Sequence, residues 1–135
     1  MKYLPTPLLF LLAALLLLQP SCEKSATIPD KGPPAETIRQ LFARIQEGKI
    51  DDAVKLCTER FLGAQGGAPA VKSAFAAQTP KIKEMGGIAV EVLGVEITGE
   101  VAIVTFNLRY GNGTVEPCKY RLLKENGSWK HDGNA

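Results

Sequence analysis

The chain predicts an α+β domain in which N-terminal helices pack on one face of a curved, four-stranded antiparallel sheet. Three observations carry that prediction. Apolar residues before Met85 recur at intervals of three and four, and from Ile88 onward they alternate. The turn signals Thr98-Gly99-Glu100, Gly111-Asn112-Gly113 and Asn126-Gly127 then cut the alternating half into four segments. Helices first and a meander afterward call for helices layered on an antiparallel sheet.

Residues 1–21 read as an export signal. Lys2 supplies the charge, residues 8–18 are an unbroken apolar run, and Gln19-Pro20-Ser21 breaks it ahead of a cleavage point. As a helix that run rises only about 16 Å, too short for a bilayer core of roughly 30 Å. Cys22, with small Ser21 before it, resembles the cleavage site of bacterial lipoproteins, whose cysteine becomes the lipid-bearing N-terminus. The resemblance implies lipidation of Cys22, with acyl chains contributing about 0.8 kcal/mol per buried CH₂, and places the protein in a bacterial cell envelope. The competing reading is a secreted protein in which Cys22 is incidental. Residues 22–34 then form a tether, since 23–34 hold three prolines and only Ile28 as a large apolar residue.

The folded domain is residues 35–135, one small unit. Its first helix follows Pro33-Pro34, carries Ile38, Leu41, Phe42 and Ile45 on one stripe, and ends at Gly48. A second begins near Asp51, whose carboxylate can cap it, and runs through Val54, Cys57 and Phe61 to Gly63. Residues 63–68 are a glycine-rich loop. Residues 69–85 are helical by composition, with Thr79-Pro80 predicting a break or sharp kink.

In the alternating half, Ile88, Val90 and Val92 share a face, Gly94 marks a β-bulge, and Val95 and Ile97 resume. Ala102, Val104, Phe106, Leu108 and Tyr110 line one face of the next strand, and Cys118, Tyr120 and Leu122 one face of the third. Ser128-Trp129-Lys130-His131 begins the last. Trp129 is expected as a lid on the core and His131, four residues from the terminus, as exposed.

Cys57 and Cys118 both fall on core-facing positions, which predicts that they lie close enough to bond. Two buried thiols that never meet is the equal alternative, and a bond would add roughly 3 to 4 kcal/mol by the chain-entropy model.

The segments Gly48-Lys49-Ile50-Asp51-Asp52-Ala53, 97–104 (Ile-Thr-Gly-Glu-Val-Ala-Ile-Val) and 123–130 (Leu-Lys-Glu-Asn-Gly-Ser-Trp-Lys) give the domain a resemblance to the nuclear transport factor 2-like, or cystatin-like, superfamily. Within it the domain is similar to an uncharacterised group of small bacterial lipoproteins. The resemblance implies a cone-shaped fold with a cavity and no particular activity, because the fold serves isomerases, dehydratases, ligand carriers and interaction modules alike.

Chemistry is sparse. Isomerases of this fold use a general-base Asp with a Tyr and a protonated Asp in an apolar cavity, yet no Asp lies between Asp52 and Asp132, and the strand acids are Glu91, Glu96 and Glu116. Glu116 with Tyr120 or Tyr110 is the sharpest acid–base set, though Glu116 beside Pro117 is expected to be solvated. No catalytic residue is assigned. The cysteine spacing and the single His131 suit no zinc site, residues 63–67 make no phosphate loop, and no cofactor is implied. Lys+Arg 16 against Asp+Glu 14 leaves no field for nucleic acid.

The leading expectation is a membrane-tethered, non-enzymatic module binding a protein or small apolar ligand. The alternatives are an isomerase- or dehydratase-like enzyme using Glu116 and Tyr120, and a structural spacer whose filled core holds no cavity larger than a water.

Overall fold

The change of period at Met85 becomes a change of layer in the computed structural model, which describes residues 31–135. Helices α1 (Gly32–Glu47), α2 (Ile50–Val54), α3 (Glu59–Ala64) and α4 (Ala68–Glu84) precede strands β1 (Ile88–Thr98), β2 (Val101–Tyr110), β3 (Val115–Glu125) and β4 (Ser128–Asn134). The strands pair antiparallel in sequence order. The result is the expected curved antiparallel sheet with helices over one face.

Helix α1 takes Pro33 and Pro34 in its first turn, where a missing N–H breaks no intrahelical bond. It buries Ile38, Leu41, Phe42 and Ile45, and Gly48 at φ 78° turns its N–H back to the Arg44 and Ile45 carbonyls. The helix starts at Gly32 and Pro34 is fully buried. The last three residues of the segment read as a tether are therefore helical.

The single second helix expected from sequence is two. After α2 a turn at Lys55 and Leu56 leads to Cys57, which forms an isolated bridge with His131. The Thr58 N–H donates to the His131 carbonyl at 2.9 Å and the His131 N–H to the Leu56 carbonyl at 2.7 Å, which takes these groups out of any helix. The Thr58 hydroxyl then accepts from the Phe61 N–H at 3.0 Å and starts α3. Asp51 makes no cap; its carboxylate meets Lys72 of α4 at 3.1 Å.

Helix α4 continues through Pro80 instead of breaking there. Pro80 and Ala76, whose carbonyl loses its partner, are both exposed, so solvent reaches the released acceptor. Thr79 Oγ1 donates to the Ile45 carbonyl at 2.6 Å and ties α4 to the end of α1.

In the sheet, Val92 pairs with Phe106 and Val95 with Val104, so the register shifts between Val92 and Gly94 and the bulge is where expected. Ala102, Val104 and Phe106 are fully buried and Leu108 nearly so, with Leu122 beside Ala102 on β3 and Ile38 and Leu41 of α1 also buried in the core. Asn126 and Gly127 both have positive φ, as a tight hairpin requires. The β2–β3 turn lies against the α4–β1 joint: Gly111 N–H donates to the Gly87 carbonyl at 3.0 Å and Asn112 N–H to the Met85 carbonyl at 2.9 Å. A Cβ on Gly111 would overlap the Gly86 carbonyl.

Candidate functional site

Bending the sheet leaves room beneath the helices. Leu41, Phe42 and Ile45 of α1, Phe75, Gln78 and Ile82 of α4, and the concave face of β2–β4 enclose a cavity of about 270 Å³. That is at the small end of ligand pockets and far above one water. All three residues of the sequence-expected set line it: Tyr110, Glu116 and Tyr120.

They do not form a buried acid–base centre. Glu116 pairs with Leu108 across the sheet, its carboxylate is exposed, and it accepts a hydrogen bond from the Tyr110 hydroxyl at 3.1 Å. Burial, then this bond to Glu116, raises the Tyr110 pKa. Tyr120 lies deeper, edge-on to Phe106 at 5.0 Å between ring centroids and 6.0 Å from Phe42. Burial above all pushes its pKa up, so its phenol stays protonated.

His131 is the residue that sequence reasoning misplaced. Expected as exposed, it is 4% accessible, because α3 and the Cys57 bridge cover the β4 edge. Its ring lies 4.6 Å from Phe61 and 4.3 Å from Tyr120 and lines the cavity. Nδ1 is buried with no hydrogen-bond partner among the described residues. Burial drives the pKa down to about 4, only partly offset by the Asp132 charge, so the imidazole is neutral.

The neighbouring Asp132, which received no role from sequence, is 3% accessible. Its Oδ1 accepts from Thr58 Oγ1 at 2.6 Å and Arg60 Nε at 3.3 Å, and its Oδ2 from Arg121 Nε at 2.9 Å and from the Arg60 terminal nitrogen. Burial alone would raise its pKa, but bonds from Arg60, Thr58 and Arg121 outweigh it and hold the carboxyl at about 2. Thr58 directly followed by Glu59 is a helix-start pattern, the one sequence signal that could have pointed here.

Cys57 and Cys118 are both free, against the expectation that they approach one another. Cys57 bridges to His131, whose partner on β3 is Leu122, four residues along the strand from Cys118. Four residues of strand span about 13 Å, beyond the roughly 7 Å of Cα separation a disulfide tolerates. Burial raises the Cys57 thiol to about 12 and Cys118 to about 11, so neither is a ready nucleophile. Trp129 is half-buried against the core, with Lys124 Nζ 5.8 Å from its ring centroid, as a lid should be. Glu91 is tied on the sheet's other face to Arg109 at 2.7 Å and Asn107 at 3.1 Å.

Cys22 and the export signal lie outside the described residues. Among the described residues, no helix is long and apolar enough to cross a membrane, and no three His, Cys, Asp or Glu are grouped to hold a metal.

No family model and no curated protein matches the sequence. Solved structures do. A proposed nuclear transport factor 2-like transpeptidase from Campylobacter jejuni is 14% identical, covering 75% of this chain and 98% of that one at a TM-score of 0.62. A SEC-C motif protein from Rhodopseudomonas palustris is 16% identical over 76% of this chain and 77% of that one, with a TM-score of 0.56. A domain of unknown function with a cystatin-like fold from Nostoc punctiforme is 13% identical over 71% and 68%, with a TM-score of 0.54. The chain has the nuclear transport factor 2-like, cystatin-like fold, and identities this low carry the fold alone.

Proposed function

We propose that this protein is a non-enzymatic envelope module, held on a membrane through Cys22, that binds a small and largely apolar ligand in the cavity between α1, α4 and the sheet. One observation carries the reading. Among the described residues the only carboxylate lining the cavity, Glu116, is exposed at its edge, while the interior is walled by Leu41, Phe42, Ile45, Ile82 and Leu108. Proton abstraction in this fold relies on an acid placed against the substrate in a water-excluded site, and a carboxylate in solvent lacks that environment. The cavity's volume also speaks against a filled-core spacer.

The binding half is tested by titrating ethylbenzene while following the methyl resonances of Leu41, Ile45, Ile82 and Leu108. These should shift together and saturate, and Leu108→Trp should abolish the response. Silence up to millimolar ligand would sink the binding reading. The tether is tested by detergent-phase partitioning: Cys22→Ser should move the protein to the aqueous phase, and a variant that stays membrane-bound as firmly as wild type would remove lipidation from the account.

A further inference from the structure

We propose that the cavity's ligand is a small alkyl- or arylalkylammonium ion, with its apolar body between α1, α4 and the sheet and its charge at the Glu116 carboxylate. The inference rests on the binding reading above and adds the sign of the ligand's charge to it. Among the described residues, no lysine or arginine lines the cavity, His131 is neutral, and Glu116 is the one formal charge on its wall. That charge has no counter-ion. Glu91 holds Arg109 at 2.7 Å and Asp132 holds Arg121 at 2.9 Å, whereas Glu116 makes no ion pair among the described residues and accepts only from the Tyr110 hydroxyl, at 3.1 Å. A carboxylate offers about four lone-pair sites, so most of its accepting capacity is open at the cavity's edge.

A second acceptor stands in the same wall. Among the described residues that are not themselves exposed, His131 Nδ1 is the one side-chain polar atom both buried and unpartnered. The Tyr120 hydroxyl makes no hydrogen bond among the described residues and is therefore accessible, on a ring that lines the cavity. It lies near enough to Glu116 for that charge to add to its raised pKa, and as a protonated phenol it keeps lone pairs for a donor. An ammonium donates three hydrogens and accepts none. It can serve Glu116 and Tyr120 and keep one hydrogen for water, because Glu116 is exposed and the charge need not be dehydrated among Leu41, Ile45 and Leu108. Phe42, Phe75, Tyr110 and Tyr120 line the same space, and aromatic rings attract a cation where they attract no anion. A neutral hydroxyl can bond the same two acceptors without the Coulomb attraction, and an anion meets Glu116 as a like charge. The order of affinity should follow the charge: ammonium, then alcohol, then carboxylate.

The experiment titrates the full chain at neutral pH with 2-phenylethylamine, which is protonated there, with 2-phenylethanol and with phenylacetate, three probes that share a ring and differ in charge. Binding is followed by the methyl resonances of Leu41, Ile45, Ile82 and Leu108, with ethylbenzene as the uncharged reference. 2-Phenylethylamine should bind about fivefold more tightly than 2-phenylethanol, and phenylacetate more weakly than either. Glu116→Gln should erase the preference for the amine, and so should about 1 M NaCl, which screens an exposed pair. An alcohol or carboxylate that binds as tightly as the amine, or a preference that survives in Glu116→Gln, would overturn the proposal while leaving the apolar-binding reading intact. Failure of every probe, ethylbenzene included, would remove both readings. If Glu116→Gln does not fold, the salt series on wild type decides alone: an amine-to-alcohol affinity ratio unchanged by salt overturns the proposal.

Discussion

Two carboxylates on neighbouring strands live under opposite conditions. Asp132 is buried and receives hydrogen bonds from Thr58, Arg60 and Arg121, whereas Glu116 is exposed and receives one from Tyr110. Taking a carboxylate out of water costs several kcal/mol unless its lone pairs are filled. Asp132 meets that condition by joining α3 to β3 and β4, which leaves it little capacity for a substrate. Glu116 keeps its hydration and so has nothing forcing it into a fixed geometry. In this molecule a buried acid marks architecture, and the acid beside the cavity is the solvated one.

The sharpest way to break the comparison is Asp132→Ala. It removes every bond to the carboxylate at once and should cost about 3 kcal/mol in urea unfolding. Arg60→Ala should cost less, because Arg121 and Thr58 still hold the carboxylate and the Arg60 side chain is 64% accessible. An Asp132→Ala protein within about 0.5 kcal/mol of wild type would show that the cluster does not fasten α3 to the sheet.

Acid titration separates Asp132 from its neighbour. The His131 pKa drops from 6.5 to about 4 on folding, so between those values the unfolded chain binds a proton that the folded chain refuses. Stability is whole above pH 6.5 and falls by about 3 kcal/mol as the pH drops to 4. The Asp132 carboxyl falls from 3.8 to about 2, and its contribution is whole above pH 3.8 and lost as the pH falls toward 2. Unfolding midpoints measured from pH 8 to pH 2 should decline in two steps, and His131→Phe should delete the upper one alone. A wild-type profile flat down to pH 4 would contradict the burial of a neutral imidazole.

The smallest effect belongs to Glu116. Glu116→Gln keeps an acceptor for the Tyr110 hydroxyl at an exposed position, so it should change stability by less than about 0.5 kcal/mol and leave ethylbenzene affinity unaltered. A large loss in either measurement would reopen the enzyme reading.

Residues whose neighbours lie close in sequence were legible in advance. Ile38, Leu41, Phe42 and Ile45 declare a helical stripe, Gly94 a bulge and Asn126-Gly127 a hairpin, because each rests on local periodicity or a local φ requirement. The burial of His131 and Asp132 rests instead on α3, some seventy residues earlier, folding back across the β4 edge. Polar residues near a terminus read as exposed until that contact is known. The split of the second helix was hidden for the same reason: the Leu56 carbonyl and the Thr58 N–H leave helical bonding for His131 on β4. The set Tyr110, Glu116 and Tyr120 was found because strand alternation places them on one face, but alternation carries no depth, and depth is what separates a solvated carboxylate from a reactive one.

The contact between Gly86 and Gly111 bears on how such a cavity can diversify. Here main chain meets main chain, through the Gly111 and Asn112 N–H groups on the α4–β1 joint, with no room for a Cβ on Gly111. The rim beside Tyr110 is therefore held by groups that substitution of the surrounding side chains does not remove. Those two amides, although on an exposed turn, should exchange with solvent as slowly as the sheet itself opens. Side chains inside the cavity can be exchanged for a new ligand without unfastening the mouth, whereas an insertion into either glycine turn would loosen the whole pocket before it altered any preference.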